Sequence, residues 1–543
     1  FLVFVPQPKA DHLFEISHVR AEGSYVPPPA PVAEAKSFFP FIDTFGQYMH
    51  ADWPGKTHSL EELKQHAETE AAELKAQPAP EHWDQYGGWK DGPALEASGF
   101  FRVAKHEGKW WFVDPEGKLF WSHGVDCVNS YAATPIEERQ EWFKDFPGDQ
   151  PEFKSCLSKQ YALHGYYKGR TIACFDFGAA NLMRKLGDDW RAKAAELAHL
   201  RLRSWGVNTI ANWSDPYIYS AAKEGRGNLR TPYTATIHFG GKLLEGSEGY
   251  WGQFRDVFDP DFKAEICKEM AKQKGKTAGD PWCLGFFVDN EIAWGDDVSL
   301  AVAALKSPPE QAAKKVFIED LKTKYGQIEK LNETWGTQHA SWDALLQERT
   351  APDKKKAAED LHAFYSKTAE EYFRVIRAAV KEAAPQQLYL GCRFAWVNNR
   401  AAEAGAKYCD VVSYNLYRKS IANFKCPAPA DVPLIVGEFH FGALDRGMFH
   451  TGLVSLKSQA ERAATYKDYV QGALQHPQFV GTHWFQYRDE ATTGRPLDEE
   501  NYQIGFVDNA DTPYAETIAA VREVGYGMYE YRSKAAVKSE PRP

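Results

Sequence analysis

The chain has no C-x-x-C pair, no H-E-x-x-H and no P-loop glycine pattern. The first two absences remove the common zinc and thiol-redox motifs, and the third removes the usual nucleotide cradle. No apolar run approaches the ~18 residues that a membrane span requires, so no membrane partner is expected. A basic excess is missing as well. Lys and Arg number 64 against 74 Asp and Glu, a net charge of −10, and this argues against nucleic acid as the main partner. Repeats of 20–50 residues are absent too. The eight cysteines are scattered; Cys283 and Cys392 lie inside apolar runs, where they read as small core residues. The chain opens on Phe1 rather than Met, which is expected of a processed or trimmed product.

Aromatic residues, by contrast, are plentiful: 17 Trp, 26 Tyr and 33 Phe in 543 residues. Flat rings suit a large core, and they equally suit ligands with apolar faces, sugars among them. At this length the chain holds two or three average domains, or one large barrel with additions.

Residues 1–36 include "YVPPPAPVAEA", whose proline density suits an extended arm. The aromatic stretch 38–58 is expected to pack on a larger body. "SLEELKQHAETEAAELKAQ" predicts a helix with Ser59 as N-cap and Glu62 completing a capping box. Two turn signals, 106–108 and 114–117, then separate short apolar runs and predict hairpins. Eight short apolar runs follow, at 120–128, 206–213, 232–239, 282–290, 387–394, 410–417, 433–441 and 479–487, most of them separated by helical stretches. That alternation predicts an α/β fold, a (β/α)8 TIM barrel with an N-terminal extension. An open doubly wound sheet is the rival, but it usually carries a Gly-rich phosphate turn after its first strand, and "HGVDCVNSY" has none. The expected divisions are 1–95 for the arm and helix, 96–535 for the barrel and 536–543 for a tail.

Catalytic groups of such barrels sit at the carboxyl ends of the strands. The strand ends here carry His123 and Asp126, Asn212, Asp289-Asn290-Glu291, Arg393, Tyr414 and Asn415, Glu438 and His440, and His483. Each alone reads equally as a cap or a hydrogen-bond plug. Glu291 and Glu438 differ, because strands 4 and 7 lie across the mouth from one another and their carboxylates can flank one bond. That is the requirement of glycoside hydrolysis: a protonated acid for the leaving oxygen and a carboxylate for the anomeric carbon. In this scheme Asn290 reaches the sugar 2-hydroxyl, Tyr414 donates to Glu438, and Trp294 or Trp484 supplies a stacking face. His123, His440 and His483 can bind sugar hydroxyls, and no catalytic metal or cofactor is expected. Arg393 can pair with Glu438 either as plain structure or to favour the charged nucleophile.

Three segments, "GFFVDNEIAWG", "VGEFHFGALDRGMFHTGL" and "GTHWFQYRDEATTGRPLDEENYQIGFVD", resemble the β-agarases of glycoside hydrolase family 50. The likeness runs from about residue 38 to about 532. "KYGQIEKLNETWGTQHASW" (324–342) is similar to a segment of β-galactosidases of the same clan. The resemblance implies a retaining (β/α)8 glycosidase with Glu291 as acid/base and Glu438 as nucleophile. It further implies action from the chain ends of agarose, releasing neoagarobiose. Many members place a β-sandwich before the barrel, and with only about 95 residues there a full sandwich is not expected. The long connection from Asn129 to about Asp188, with Tyr131, Tyr166, Tyr167, Phe175 and Phe177, either walls the cleft or covers the barrel side.

Several readings stay open on the residues alone. One is a β-galactosidase. Another is a hydrolase of a sulfated galactan such as porphyran or carrageenan, for which Arg393, Arg446, Arg488 and Arg495 are candidate cations. These arginines can instead pair with Asp445, Asp489 and Asp498. A third reading is a non-catalytic carbohydrate-binding barrel. A polysaccharide substrate implies a secreted or periplasmic protein; an oligosaccharide substrate suits the cytoplasm, where unpaired cysteines are comfortable.

Overall fold

The computed structural model describes residues 38–129 and 131–535. The proline-rich arm and the tail expected at 536–543 lie outside the described residues.

Each of the eight predicted apolar runs contains one strand of a single parallel sheet. These are β1 (Ser122–Val125), β2 (Thr209–Ile210), β3 (Tyr233–Ile237), β4 (Cys283–Val288), β5 (Leu388–Tyr389), β6 (Val412–Asn415), β7 (Leu434–Phe439) and β8 (Phe479–Trp484). Their order is β5-β4-β3-β2-β1-β8-β7-β6. The two ends of this series meet: Phe394 N–H donates to the Ser413 carbonyl, and Asn415 N–H donates to the Phe394 carbonyl. The sheet therefore closes on itself. Closure satisfies backbone groups that an open edge would leave unpaired.

Strand alternation sends side chains to two different apolar regions. Inside the barrel floor, Leu284, Phe287, Leu388, Ile435 and Val480 pack with Phe101, Phe112 and Phe120. The last three belong to or flank an antiparallel three-stranded sheet, Arg102–His106, Lys109–Val113 and Leu119–Phe120, which forms at the predicted hairpins and plugs the barrel from below. Burying each such ring stabilises the fold by about 1.5–3 kcal/mol. The outward-facing set, including Tyr414, Val436 and Trp484, packs under the helices.

The helical layer is uneven. A helix of four residues, Pro216–Tyr219, follows β2, five helices lie between β4 and β5, and the segment 416–433 between β6 and β7 contains none. The predicted helix forms at Leu60–Ala76. Ser59 Oγ accepts from Glu62 N–H, but the Glu62 carboxylate bonds the His58 N–H instead of Ser59, so the capping box is only half made.

The aromatic stretch after residue 38 packs, through Phe41 and Ile42, against Phe143, Phe153, Phe175 and Phe177. These last four come from the long connection after β1, which is not irregular chain. It holds an antiparallel sheet of Ala133–Pro135, Thr171–Asp176 and Leu157–Tyr161, followed by a helix at Phe177–Leu186.

The helix at Leu60–Ala76 is fastened to the barrel by charge. Arg201 donates to both Glu70 oxygens at 2.6 and 2.7 Å and to both Asp511 oxygens at 2.9 Å. Lys185 and Arg488 also pair with Asp511, and these cations hold its carboxyl well below the usual carboxylate range. Arg201→Ala removes the cation between two buried carboxylates, at an expected cost of about 3–5 kcal/mol. The measurement is the urea midpoint of the variant against wild type; an unshifted midpoint would contradict the assignment.

Candidate active site

The strands leave the barrel mouth through unusual backbone. Cys127 after β1, Trp213 after β2, Asp289 and Glu291 after β4, and Arg393 after β5 all have φ between 50° and 63°. Residues with a Cβ seldom adopt this left-handed region, and each instance costs of order 1 kcal/mol. At β4 the two left-handed residues flank Asn290, so the chain turns sharply and Glu291 faces the cavity rather than continuing the strand. Asp289 is tied behind it, accepting two bonds from Arg255 at 3.0 Å and one from the Tyr372 hydroxyl at 2.7 Å.

Glu291 and Glu438 line one cleft of about 970 Å3 at the carboxyl ends of the strands. Glu291 is held neutral-leaning. It accepts from Asn415 Nδ2 at 2.8 Å and from Trp251 Nε1 at 3.0 Å. Burial, followed by the charge of Glu438, pushes its pKa up to about 7. Glu438 is gripped by charge and hydroxyl. It accepts from Arg393 at 2.6 Å, from the Tyr417 hydroxyl at 2.5 Å and from Trp213 Nε1 at 3.4 Å. Burial and the nearby Glu438 charge raise the Tyr417 pKa well above the usual phenol value, so this hydroxyl keeps its proton.

Arg393 also reaches Asp126 at 3.2 Å and donates through Nε to Asn290 Oδ1 at 2.9 Å. One guanidinium cannot keep two buried carboxylates ionised. Burial pushes Asp126 up to about 8, so the shorter contact of Arg393, to Glu438, is the one not shared with a second ionised carboxylate. Asn415 Nδ2 donates to Asn290 Oδ1 as well, at 3.2 Å. A chain of hydrogen bonds thus runs Glu291–Asn415–Asn290–Arg393–Glu438 across the mouth.

Of the residues singled out by sequence, Asn290, Asn415 and His440 line the cleft with the two glutamates. The ring of His440 stays neutral, its pKa pushed down to about 3 chiefly by burial, and Nε2 accepts from Leu453 N–H at 2.8 Å. Arg393 lies just beneath, fully buried.

The structure corrects six other assignments. Tyr414 faces outward, its hydroxyl 3.7 Å from Cys426 Sγ, and Tyr417 takes the contact to Glu438 expected of it. Trp484 is buried among Phe439, Tyr466 and Phe506, with Nε1 bonded to the Ile504 carbonyl. Trp294 stacks on Phe373, and it too is core. His123 bonds the Gly206 carbonyl and the Tyr466 hydroxyl on the outer face. His483 lies inside the barrel below the cleft, against Ser122 Oγ at 2.8 Å. Asn212 is buried with Oδ1 accepting from Thr236. None of the six lines the cleft.

Sequence reasoning missed Tyr417, Trp213 and Trp251. The first was findable, since residues 415 and 417 share a face wherever the strand parity continues. Trp251 comes from the loop after β3, and nothing local marks it.

That loop belongs to a wall. His164, in the insertion after β1, stacks on Tyr250 with ring centres 4.4 Å apart and meets Trp251 edge-on. The Leu163 and His164 N–H groups both donate to the Leu497 carbonyl in the segment after β8, and Tyr166 N–H donates to Glu499. Tyr131 and Gln160 face the cleft; Tyr167, Phe175 and Phe177 build the insertion's own cores. The insertion therefore walls the cleft with one part of itself. Among the described residues no cluster of three or more His, Cys, Asp or Glu has a metal-holding arrangement, and no helix is long and apolar enough to cross a membrane.

Comparison with known proteins fits this geometry. Over 98% of its length the chain is 35% identical to β-agarase B of Vibrio sp. (strain JT0107), of which it spans 58%. With β-agarase A of the same strain it shares 34% identity over 90% of its length, spanning 52% of that protein. A solved structure of an exo-β-agarase superposes with a TM-score of 0.85 at 33% identity, covering 94% of this chain and 75% of the other. A crystal structure of an agarase gives 0.81 at 34% identity, with 91% and 74% covered. The chain belongs to glycoside hydrolase family 50. A β-galactosidase family model, that of glycoside hydrolase family 42, also matches residues 255–435, a stretch that includes Glu291 and stops short of Glu438. The chain spans little more than half the length of the curated relatives it matches.

The raised pKa of Glu291 has a stability consequence. Between its unfolded value of 4.5 and about 7 the folded chain keeps a proton that the unfolded chain releases, so stability falls as pH rises through that window. Glu291→Gln mimics the neutral carboxyl and removes this slope. The variant is expected to be more stable than wild type at pH 8 by about 1–3 kcal/mol and indistinguishable at pH 4.5. Chemical denaturation at both pH values checks it; parallel profiles would mean that Glu291 titrates normally.

Proposed function

We propose that this chain is a retaining glycoside hydrolase that cleaves β-galactosidic linkages of a red-algal galactan, acting on agarose from a chain end and releasing neoagarobiose. The observation that carries the reading is the pair of carboxyl groups in one cleft whose surroundings divide their roles. Glu291 keeps a proton near neutral pH, and Glu438 sits against a buried guanidinium.

In the first step the Glu291 carboxyl gives its proton to the glycosidic oxygen as Glu438 attacks the anomeric carbon. The glycosidic C–O bond breaks and a glycosyl ester on Glu438 forms. In the second step the Glu291 carboxylate takes a proton from water, whose oxygen attacks the same carbon. The ester C–O bond breaks and Glu438 leaves as a carboxylate. Arg393 and Tyr417 stabilise Glu438 whenever it is ionised. Asn290 Oδ1 is occupied by two donors, so its amide N–H groups are the ones that reach a sugar hydroxyl.

The galactan is carried over from the named relatives, as is action from a chain end, which the wall of loops around His164 and Leu497 supports. A secreted or periplasmic location follows from a polymeric substrate.

The test is digestion of neutral agaro-oligosaccharides with product sizing and NMR of the first anomer released. Glu291→Gln is expected to lower kcat by about 10²–10⁴-fold, and Glu438→Gln by at least as much. The β-anomer is expected first. Unchanged turnover in either variant, or an α-anomer, would overturn the assignment.

A further inference from the structure

Four arginines line the cleft: Arg255, Arg418, Arg488 and Arg495. Three are neutralised by buried or part-buried carboxylates. Arg255 pairs with Asp289, Arg488 with Asp511, and Arg495 with Glu490, Asp498 and Glu500. Arg393 and Arg446, the other two cations read from sequence as sulfate candidates, are likewise spent on Asp126, Glu438, Asp445 and Glu516. Arg418 is different. It is exposed at the rim, and among the described residues it makes no ion pair, its guanidinium lying only over the Phe424 ring at 5.8 Å.

Its surroundings deepen the contrast. Arg418 lies in the helix-free segment 416–433, one residue after Tyr417, the donor to Glu438. The neighbouring Lys419 and Lys425 are exposed and also make no ion pair among the described residues. No Asp or Glu occurs between residues 416 and 430. A chain of net charge −10, with Asp289, Glu291, Glu438, Asp489, Glu490 and Glu500 along the same cleft, offers many partners to a cation. The rim cation is nevertheless uncompensated. Trp396, 67% exposed, lines the cleft from the exit of β5, whose neighbour in the closed sheet is β6. A sugar-stacking face and a guanidinium without a counter-ion therefore occupy one flank.

We propose that this flank is an anion-reading subsite, in which Arg418 binds a sulfate ester on a galactan chain whose ring rests on Trp396. The inference rests on the galactan reading of the cleft. Guanidinium meets sulfate as it meets carboxylate and phosphate, through paired N–H donors, so the contact selects for charge and shape together. Lys419 and Lys425 add point charges that draw the anionic chain toward an otherwise acidic opening. The cleaved linkage itself need not be sulfated; the substituent is read beside it.

The experiment uses the full chain, with Arg418→Glu and Arg418→Lys, and two oligosaccharide sets of matched length: neutral agaro-oligosaccharides, and porphyran-type ones carrying galactose 6-sulfate. Binding is measured by calorimetry in a Glu438→Gln background, which separates recognition from turnover. The expected result is that Arg418→Glu weakens the sulfated ligand by about tenfold or more and changes the neutral ligand by no more than about twofold. Arg418→Lys is expected to retain an intermediate preference, and the wild-type preference to shrink with added NaCl. Equal weakening of both ligands, or no preference in wild type, would overturn the subsite. Turnover of the neutral set by the Glu438-intact chain reports separately on the hydrolase reading, so a dead enzyme with intact sulfate preference sinks that reading and leaves this one standing.

Discussion

The guanidinium of Arg393 is the constraint around which the barrel mouth is arranged. It is buried completely, it comes from the end of β5, and it touches groups from β1, β4 and β7: Asp126, Asn290 and Glu438. Removing a cation from water is costly, and the cost is offset only where charge and hydrogen bonds are supplied with good geometry. Two carboxylates compete for that role, and the lower cost is reached when one of them is neutral. Asp126, the deeper of the two, takes the proton. What remains is a tight Arg393–Glu438 pair that fixes the orientation of Glu438, with the rings of Trp213 and Phe287 flanking the cation.

The opposite carboxyl is governed by a different balance. Glu291 has no cation at hydrogen-bond distance; its partners are an amide and an indole. Both donate a neutral N–H, which favours the ionised carboxylate less than a cation would, so burial and the Glu438 charge outweigh them. The arrangement is costly to fold. A carboxyl with a raised pKa and five left-handed non-glycine residues around the mouth all work against stability. The plugged, fully apolar floor and the Glu70–Arg201–Asp511 network lie elsewhere in the barrel, and they supply the compensation without entering the cleft.

Strand positions were legible because short apolar runs bounded by polar ends are a local property. The two glutamates were legible for a related reason: each ends an apolar strand, and barrel closure puts strands 4 and 7 across the mouth. Side-chain direction was less so. A barrel strand has two buried faces, and a polar or aromatic residue near its end looks the same on either. Tyr414 and Trp484 went to the outer face under the helices, and His483 went inward but too deep. Counting parity from Glu438 recovers His440, and counting from Asn415 recovers Tyr417. Counting does not recover Trp251, Trp396 or Arg418, which lie on loops whose course depends on contacts far away in sequence, such as His164 on Tyr250. The capping box failed at one bond for a local reason: His58, just ahead of the cap, offers Glu62 both an N–H and a ring nitrogen.

The one place where the alternation of strand and helix breaks down is the flank with the uncompensated cations. Between β6 and β7 a helix would have drawn the chain away from the mouth and onto the outer layer, as the helices after β7 and β8 do. Without it, segment 416–433 runs as loop, anchored by Ile421 in the core and by Phe424 against Phe479 and Tyr414. Backbone carbonyls of the segment also accept from Tyr469 and Gln478, and Asp431 at its far end pairs with Lys105 and accepts from Trp110. Arg418, Lys419 and Lys425 are left without ion pairs among the described residues, Arg418 meeting only the Phe424 ring, in contrast to every other arginine along the cleft. A loop that packs Ile421 and Phe424 inward and keeps its cations at the rim separates stability from recognition. Changing those cations therefore alters what the cleft attracts and leaves the bonds that hold Glu291 and Glu438 untouched.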